Sequence, residues 1–157
     1  MPKKSIFDPA VKAEVFKRLD NLQPDTQPLW GTMKPNEMLK HLSEALKIAT
    51  GEIQVPDRSN LFTRTLIRYF VQNAMVPSKE TATKRPVATF PEIDVVKKGI
   101  TVGDFLAEKE NYKKELARVE AISTYVPKSP LIGKMSREDW ARNFYGHAHY
   151  HLTQFGV

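Results

Sequence analysis

The sequence predicts an all-α fold, an antiparallel four-helix bundle whose crossover connection carries one extra helix. Three observations predict it. Four segments repeat apolar residues at spacings of three and four. Helix-opening and helix-closing residues bracket those segments. Sustained two-residue alternation, the mark of a strand, is weak throughout, with one short extended piece expected at Pro86–Phe90. Four helices with one apolar stripe each bury those stripes most simply as a bundle. The 157 residues fit a single domain spanning 1–157.

Asp8-Pro9 opens the first helix, an N-cap carboxylate followed by proline at N1. Val11, Val15, Leu19 and Leu22 form its stripe, and prolines 24 and 28 place a loop after it. The second helix starts near Pro35 and runs to about Thr50, with Gly51 closing it. Its inner stripe is Met38, His41 or Leu42, Ala45 and Ile48. The extra helix spans Leu61 to about Ala74, capped by Ser59 or Asn60. It is apolar on most sides, and Arg64 and Arg68 share one face. It should pack outside the bundle or support a partner contact, and its arginines could bind an anionic group. Pro77 to Pro91 reads as a long loop, the kind that is often functional. The third long helix begins at Thr101 or Gly103 and ends near Ile122. Phe105, Tyr112, Leu116 and Val119 lie inward, and Glu108, Glu110, Lys113, Lys114 and Glu115 form a solvated face. Ser136 and Asp139 form a capping box, and the last helix runs from there almost to Gly156.

Composition limits the functions available. Lys and Arg number 24 against 18 Asp and Glu, a formal charge of +6. The basic residues are scattered, with no run of five, so a nucleic-acid role is not expected. Cysteine is absent, which removes disulfides, thiolate–metal sites and a cysteine nucleophile. No apolar stretch suits a signal peptide or a membrane span, and Leu61–Val76 is broken by its arginines. The expectation is a cytoplasmic protein with no membrane association.

The chemistry gathers on histidine. Of four histidines, His147, His149 and His151 lie within five residues. Trp140, Phe144, His147, His151 and Gln154 follow the spacing of a bundle seam, so His147 and His151 stand where core residues belong. His41 lies on or beside the stripe of the second helix. Taken alone it reads as a hydrogen-bonded or half-exposed histidine rather than a ligand. An unpaired buried polar group costs about 1–3 kcal/mol, and one divalent metal satisfies three imidazoles together. Residues four apart are stacked one helical turn apart, so both rings can reach one ion, and His41 from a facing helix would complete the set. Three protein ligands leave a position open, the catalytic arrangement. Glu44, three residues after His41, is the candidate base or second-layer acceptor. Gln154, three residues after His151, is a candidate to hydrogen-bond an imidazole or a substrate. Each also reads as an ordinary polar residue, and Trp30 and Trp140 read as core or pocket wall.

These residues carry a resemblance. Trp30-Gly31-Thr32-Met33, followed by Met38-Leu39-Lys40-His41-Leu42, resembles the first-half signature of the DinB/YfiT-like metalloenzymes. Ser136-Arg137-Glu138-Asp139-Trp140, with His147-Ala148-His149-Tyr150-His151-Leu152-Thr153-Gln154, resembles the second half. The similarity is greatest to a branch known only as a domain of unknown function. It extends from about Trp30 to the end and is loose over 52–100. It implies a four-helix bundle, a nickel or zinc ion on His41, His147 and His151, and a homodimer. Characterised members are transferases and isomerases that use low-molecular-weight thiols such as bacillithiol or mycothiol. A small-molecule substrate is implied, and the reading is a thiol S-transferase or a hydrolase. The alternative is a non-catalytic metal- or ligand-binding protein with a stress-related role. One departure stands out: relatives carry histidine directly before the last ligand, where this chain has Tyr150; His149, which otherwise reads as a surface residue, could compete for the metal.

Overall fold

The computed structural model describes residues 3–76, 78–84 and 89–157. The protein is mostly helical. The described residues hold six α-helices and one two-strand hairpin: α1 Pro9–Asn21, α2 Pro35–Thr50, α3 Arg68–Gln72, α4 Lys79–Lys84, α5 Phe105–Ala121, β1 Lys128–Ser129, β2 Gly133–Lys134 and α6 Arg137–Gln154. A π-helical turn, Thr63–Ile67, leads into α3, and a 3-10 turn, Pro91–Ile93, precedes α5.

The ends of the four long helices follow from local chemistry. Asp8 accepts from the Ala10 and Val11 amides, with Pro9 in the first turn of α1. Pro35 opens α2, whose Glu37 carboxylate accepts from the Lys34 amide at 2.7 Å. Gly51 closes α2 at φ 79°, a left-handed conformation that a side chain would strain. Asp104 caps α5 through the Ala107 amide. Ser136 and Asp139 cap α6 reciprocally. A cap of this kind is worth about 1 kcal/mol.

Cross-helix pairs fix the directions. Asn36 donates to the Gly103 carbonyl at one end of α2, and Arg118 reaches Glu52 at the other, so α2 and α5 run in the same sense. Lys12 pairs with Glu120 and Asp20 with Lys109, so α1 and α5 are antiparallel. The Trp30 carbonyl before α2 accepts from Gln154 at the end of α6, and the Ala49 carbonyl accepts from Val126 just ahead of α6. These two are therefore antiparallel. Two neighbouring parallel helices require the long connection 51–104, which carries the chain back across the molecule.

The core lies between these helices. Val15 and Leu19, Met38, Leu39, Leu42 and Leu46, Tyr112, Leu116 and Val119, and Trp140, Phe144, Ala148 and Leu152 are all buried. Each large apolar side chain contributes about 1.5–3 kcal/mol when fully buried.

Three readings of the sequence need correction. Lys79–Lys84 is helical rather than loop. Its six residues bury only Ala82, so no apolar period announces it. The stretch with Pro127 and Pro130 folds into the β1–β2 hairpin, pairing Lys128 with Lys134 and Ser129 with Gly133. Strands of two residues are too short to show alternation. Glu108 is buried rather than solvated, and its carboxylate accepts from the Gly103 amide at 2.8 Å ahead of α5. The extended piece expected at Pro86–Phe90 falls largely outside the described residues. None of the helices described is long and apolar enough to cross a membrane.

Candidate metal centre

Helix α2 supplies His41 and α6 supplies His147 and His151, and the antiparallel crossing of the two brings the rings together. Among the described residues these three form the one group of histidine or carboxylate side chains with metal-ligating spacing, their ligand atoms within 4.8 Å of one another. His147 Nε2 lies 3.0 Å from His41 Nε2 and 3.1 Å from His151 Nε2. His41 and His151 are buried, and His147 is half-buried.

The other ring nitrogens decide what these Nε2 atoms can do. His41 Nδ1 lies 3.0 Å from the Ile93 carbonyl, which can only accept. The proton is therefore on Nδ1, and Nε2 carries a lone pair. His151 Nδ1 lies 2.8 Å from Gln154 Oε1. The Gln154 amide is oriented in turn, because its Nε2 donates to the Trp30 carbonyl at 2.8 Å. His151 thus also carries its proton on Nδ1 and a lone pair on Nε2. Two lone pairs point at the third nitrogen, and a single proton on His147 Nε2 cannot be well placed for both.

A cation resolves that convergence. Two nitrogens bound to one zinc at 2.0–2.1 Å sit about 2.9 Å apart at a right angle and about 3.4 Å apart at the tetrahedral angle. The observed 3.0 and 3.1 Å fall between these values. Nδ1 protons held by a carbonyl and a carboxamide are also the usual support of metal-binding histidines. The donor set fits a divalent ion that accepts imidazole, a description that covers zinc and nickel.

Burial keeps the rings neutral, the ligand form. It lowers the pKa of His41, against the pull of the Ile93 carbonyl and Asp94. It lowers His147 well below the ordinary value, aided by His41 and His151. His151 is lowered to about 3 by burial and His41, with Gln154 opposing.

Glycine makes the Gln154 contact possible. Gly31 adopts φ +83°, and a Cβ there would stand 2.7 Å from Gln154 Nε2. Trp30 Nε1 donates to the Tyr150 hydroxyl at 3.3 Å, closing the same end of the site.

The remaining candidates are not among the three converging ligands. His149 Nδ1 sits 2.7 Å from Arg18 Nη1, and its ring stacks on Tyr145, so it is not one of the converging three. The Glu44 carboxylate accepts from Lys47 at 2.9 Å and pairs with Lys40 at 3.2 Å. Burial raises its pKa, but Lys47 and Lys40 outweigh that and leave it lowered. Arg68 pairs with Asp139 at 3.0 Å and donates to the Ile132 and Lys134 carbonyls, while Arg64 donates to Ser59 Oγ. Neither arginine joins the histidines. Two surface clefts, of about 410 and 320 Å³, lie along Thr89–Lys98 and between Ile48–Asp57 and Val126–Pro130. The histidines line neither.

The Ile93 carbonyl escaped the sequence reading. Its one signal was Pro91, which opens the 3-10 turn that presents it. No family model, curated protein or solved structure matches the chain.

Proposed function

We propose that this chain is a metal-dependent protein of the DinB/YfiT-like kind, with its four long helices as the bundle and one nickel or zinc ion held by His41, His147 and His151. The observation that carries this reading is the convergence of three Nε2 atoms, two of them fixed as lone pairs by Ile93 and Gln154. When bound, the ion would supply Lewis acidity to a small molecule entering its remaining positions, such as a low-molecular-weight thiol or a hydrolysable substrate. The chain's own residues do the rest. Ile93 and Gln154 hold two rings in the ligand tautomer, and burial keeps all three neutral. His147, less buried than His41 and His151, is the ring nearest solvent. Glu44 is the candidate proton acceptor. Lys40 and Lys47 keep it ionised, as a base must be, and at the same time weaken it. The membrane and nucleic acid have no part in this reading, which is that of a cytoplasmic protein.

The test is metal content of tag-free protein by plasma mass spectrometry, beside a His151→Ala control. Near-stoichiometric metal in the parent, lost in the variant, is the expected result. Absence from both after loading with zinc and with nickel would overturn the reading.

The second reading is a metal- or ligand-binding protein without turnover. Burial of His41 and His151 favours it. Screening thiol and electrophile pairs against metal-loaded protein separates the two.

A further inference from the structure

The segment from Leu61 to Met75 turns its apolar side outward. Leu61 is 79% exposed and Phe62 57%, and Leu66, Tyr69, Phe70 and Met75 are exposed as well. The π turn at Thr63–Ile67 is wider than an α turn, and the pairs Leu61/Phe62 and Tyr69/Phe70 both face out on either side of it. Taken together the exposed apolar portions come to roughly 600 Å², the upper end for a patch on one molecule. The polar side chains between them are satisfied within the segment. Thr65 Oγ1 donates to the Leu61 carbonyl, and the Asn73 amide donates to the Tyr69 carbonyl, both at 2.7 Å.

The opposite side anchors the segment. Thr63 and Gln72 are buried, and Gly146 of α6 admits the Val71 carbonyl to 2.6 Å from where a Cβ would stand. Gln72 donates to Asp139 at 2.8 Å, and Arg68 pairs with the same carboxylate. The charge around the apolar face has one sign. No acidic residue occurs between Asp57 and Glu80. The acids that border the segment are each paired within the chain: Asp57 with Lys128, Glu80 with Lys84, Glu92 with Arg58 and Asp139 with Arg68. Cations are left over. Lys79 is exposed four residues past Met75. Lys134 is exposed on β2, where its carbonyl accepts from Arg68. Lys3 is exposed and donates to Gln72 Oε1 at 3.3 Å. Among the described residues none of these three lysines has an acidic partner, and Arg64 is held by Asp57 only at 3.9 Å.

We propose that this face rests on an anionic phospholipid bilayer, with its leucines and aromatic rings at the headgroup level and Lys3, Lys79 and Lys134 against the lipid phosphates. Charge complementarity selects this occupant. An apolar strip with basic margins is the pattern of a segment lying in a membrane interface, and each lysine near an anionic leaflet adds to the attraction. Tyr69 suits that depth, since its ring is apolar and its hydroxyl can stay wet. The satisfied polar groups separate a lipid surface from a protein partner. A protein interface carries about one directed hydrogen bond per 100–200 Å², whereas Thr65 and Asn73 already donate within the segment. A fluid lipid surface asks only for apolar area and positive charge. Lying on a bilayer needs no spanning helix. The expectation of no membrane association rested on the lack of a spanning stretch, so it does not bear on a peripheral contact of this kind. The inference is independent of the metal reading.

Co-sedimentation of the whole chain with phosphatidylcholine–phosphatidylserine vesicles, beside vesicles of phosphatidylcholine alone, tests this. The expected result is binding to the mixed vesicles at least about tenfold tighter than to the neutral ones, weakening as salt is raised. Leu66→Glu should weaken it about 100-fold by placing a charge in the apolar contact. Lys79→Gln and Lys134→Gln should weaken it about fivefold each. All three sites are exposed, so an unchanged circular dichroism spectrum is expected beside the loss of binding. No binding to the mixed vesicles would overturn the proposal. So would equal binding to both kinds of vesicle, or binding indifferent to Leu66→Glu, which would place the contact elsewhere. Self-association through Leu66 in sedimentation equilibrium, without vesicle binding, would overturn it in favour of a second copy of the chain. The metal content of the Leu66→Glu protein should equal that of the parent, so a failed lipid contact and a failed metal site remain distinguishable.

Discussion

Two regions of this molecule invert the usual division of inside and outside. Between α2 and α6, imidazoles are buried where apolar residues belong. On the segment before α4, leucine, phenylalanine and tyrosine stand in solvent. Scattered exposed apolar residues are ordinary, whereas buried polar groups and contiguous apolar patches carry information. The inversions differ in kind. The buried histidines are paid for locally, by the Ile93 carbonyl and the Gln154 amide. The exposed face has no such compensation among the described residues. The first region has the geometry to hold an ion, and the second is an apolar face open to solvent.

The largest effect expected is at the ligands. His147→Ala removes the nitrogen common to both close contacts, and metal bound per chain should fall from near one to near zero by plasma mass spectrometry. Next comes the support of His151. Gln154→Leu keeps the volume but leaves the Nδ1 proton and the Trp30 carbonyl without partners. Metal affinity should fall roughly 10–100-fold in a competition titration, the usual cost of losing such a partner. Gly31→Ala should act in the same direction, because its Cβ displaces the Gln154 amide and its φ of +83° is strained for alanine. If Gln154→Leu leaves affinity unchanged, the amide contributes packing rather than orientation, and the compensation described for this region fails.

Much of both regions was legible in the sequence, for definable reasons. Pro35, Gly51, Ser136 and Asp139 act through backbone geometry within a few residues, and a pattern of that range can be read from a single chain. His147 and His151 stood out because they occupy positions that Trp140 and Phe144 mark as inward. The apolar content of Leu61–Met75 was equally plain. What was not legible depends on partners that no periodic pattern marks, some of them distant in the chain. The Ile93 carbonyl reaches His41 across 52 positions, and nothing in the local sequence marks one carbonyl over another. Glu108 looked solvated beside Glu110 and Lys113, yet Gly103, five residues earlier, folds back to it. Lys40 and Lys47, both visible on the same helix, hold the Glu44 carboxylate.

A smaller effect separates the two regions by pH. In the metal-free chain the three histidines have folded pKa values below the ordinary 6.5, that of His151 about 3. The unfolded chain therefore binds more protons below pH 6.5, and stability rises with pH there. It should be full above about 6.5 and decline as the pH falls from there toward 3. Asp139 behaves differently. Burial raises its pKa, but Ser136, Arg68 and Gln72 lower it below the ordinary 3.8 overall. The tie between α3 and α6 should thus hold until the pH falls below about 3.8 and weaken only beyond that point. Thermal melts of metal-free protein should show the first decline near pH 6, and metal loading should oppose it until protons displace the ion. A flat profile between pH 7 and 4.5 would mean that the histidines are not held neutral.

The smallest effect is expected on the exposed face. Tyr69→Ser removes a side chain that is 59% exposed, while the Tyr69 carbonyl keeps its bond from Asn73. Stability should change by less than about 0.5 kcal/mol, as for surface sites in general. For a chain of this size that is a shift of about 1–2 °C in the melting temperature. A markedly larger loss would show that Tyr69 packs within the single chain, and the contrast between the two regions would then reduce to the histidines.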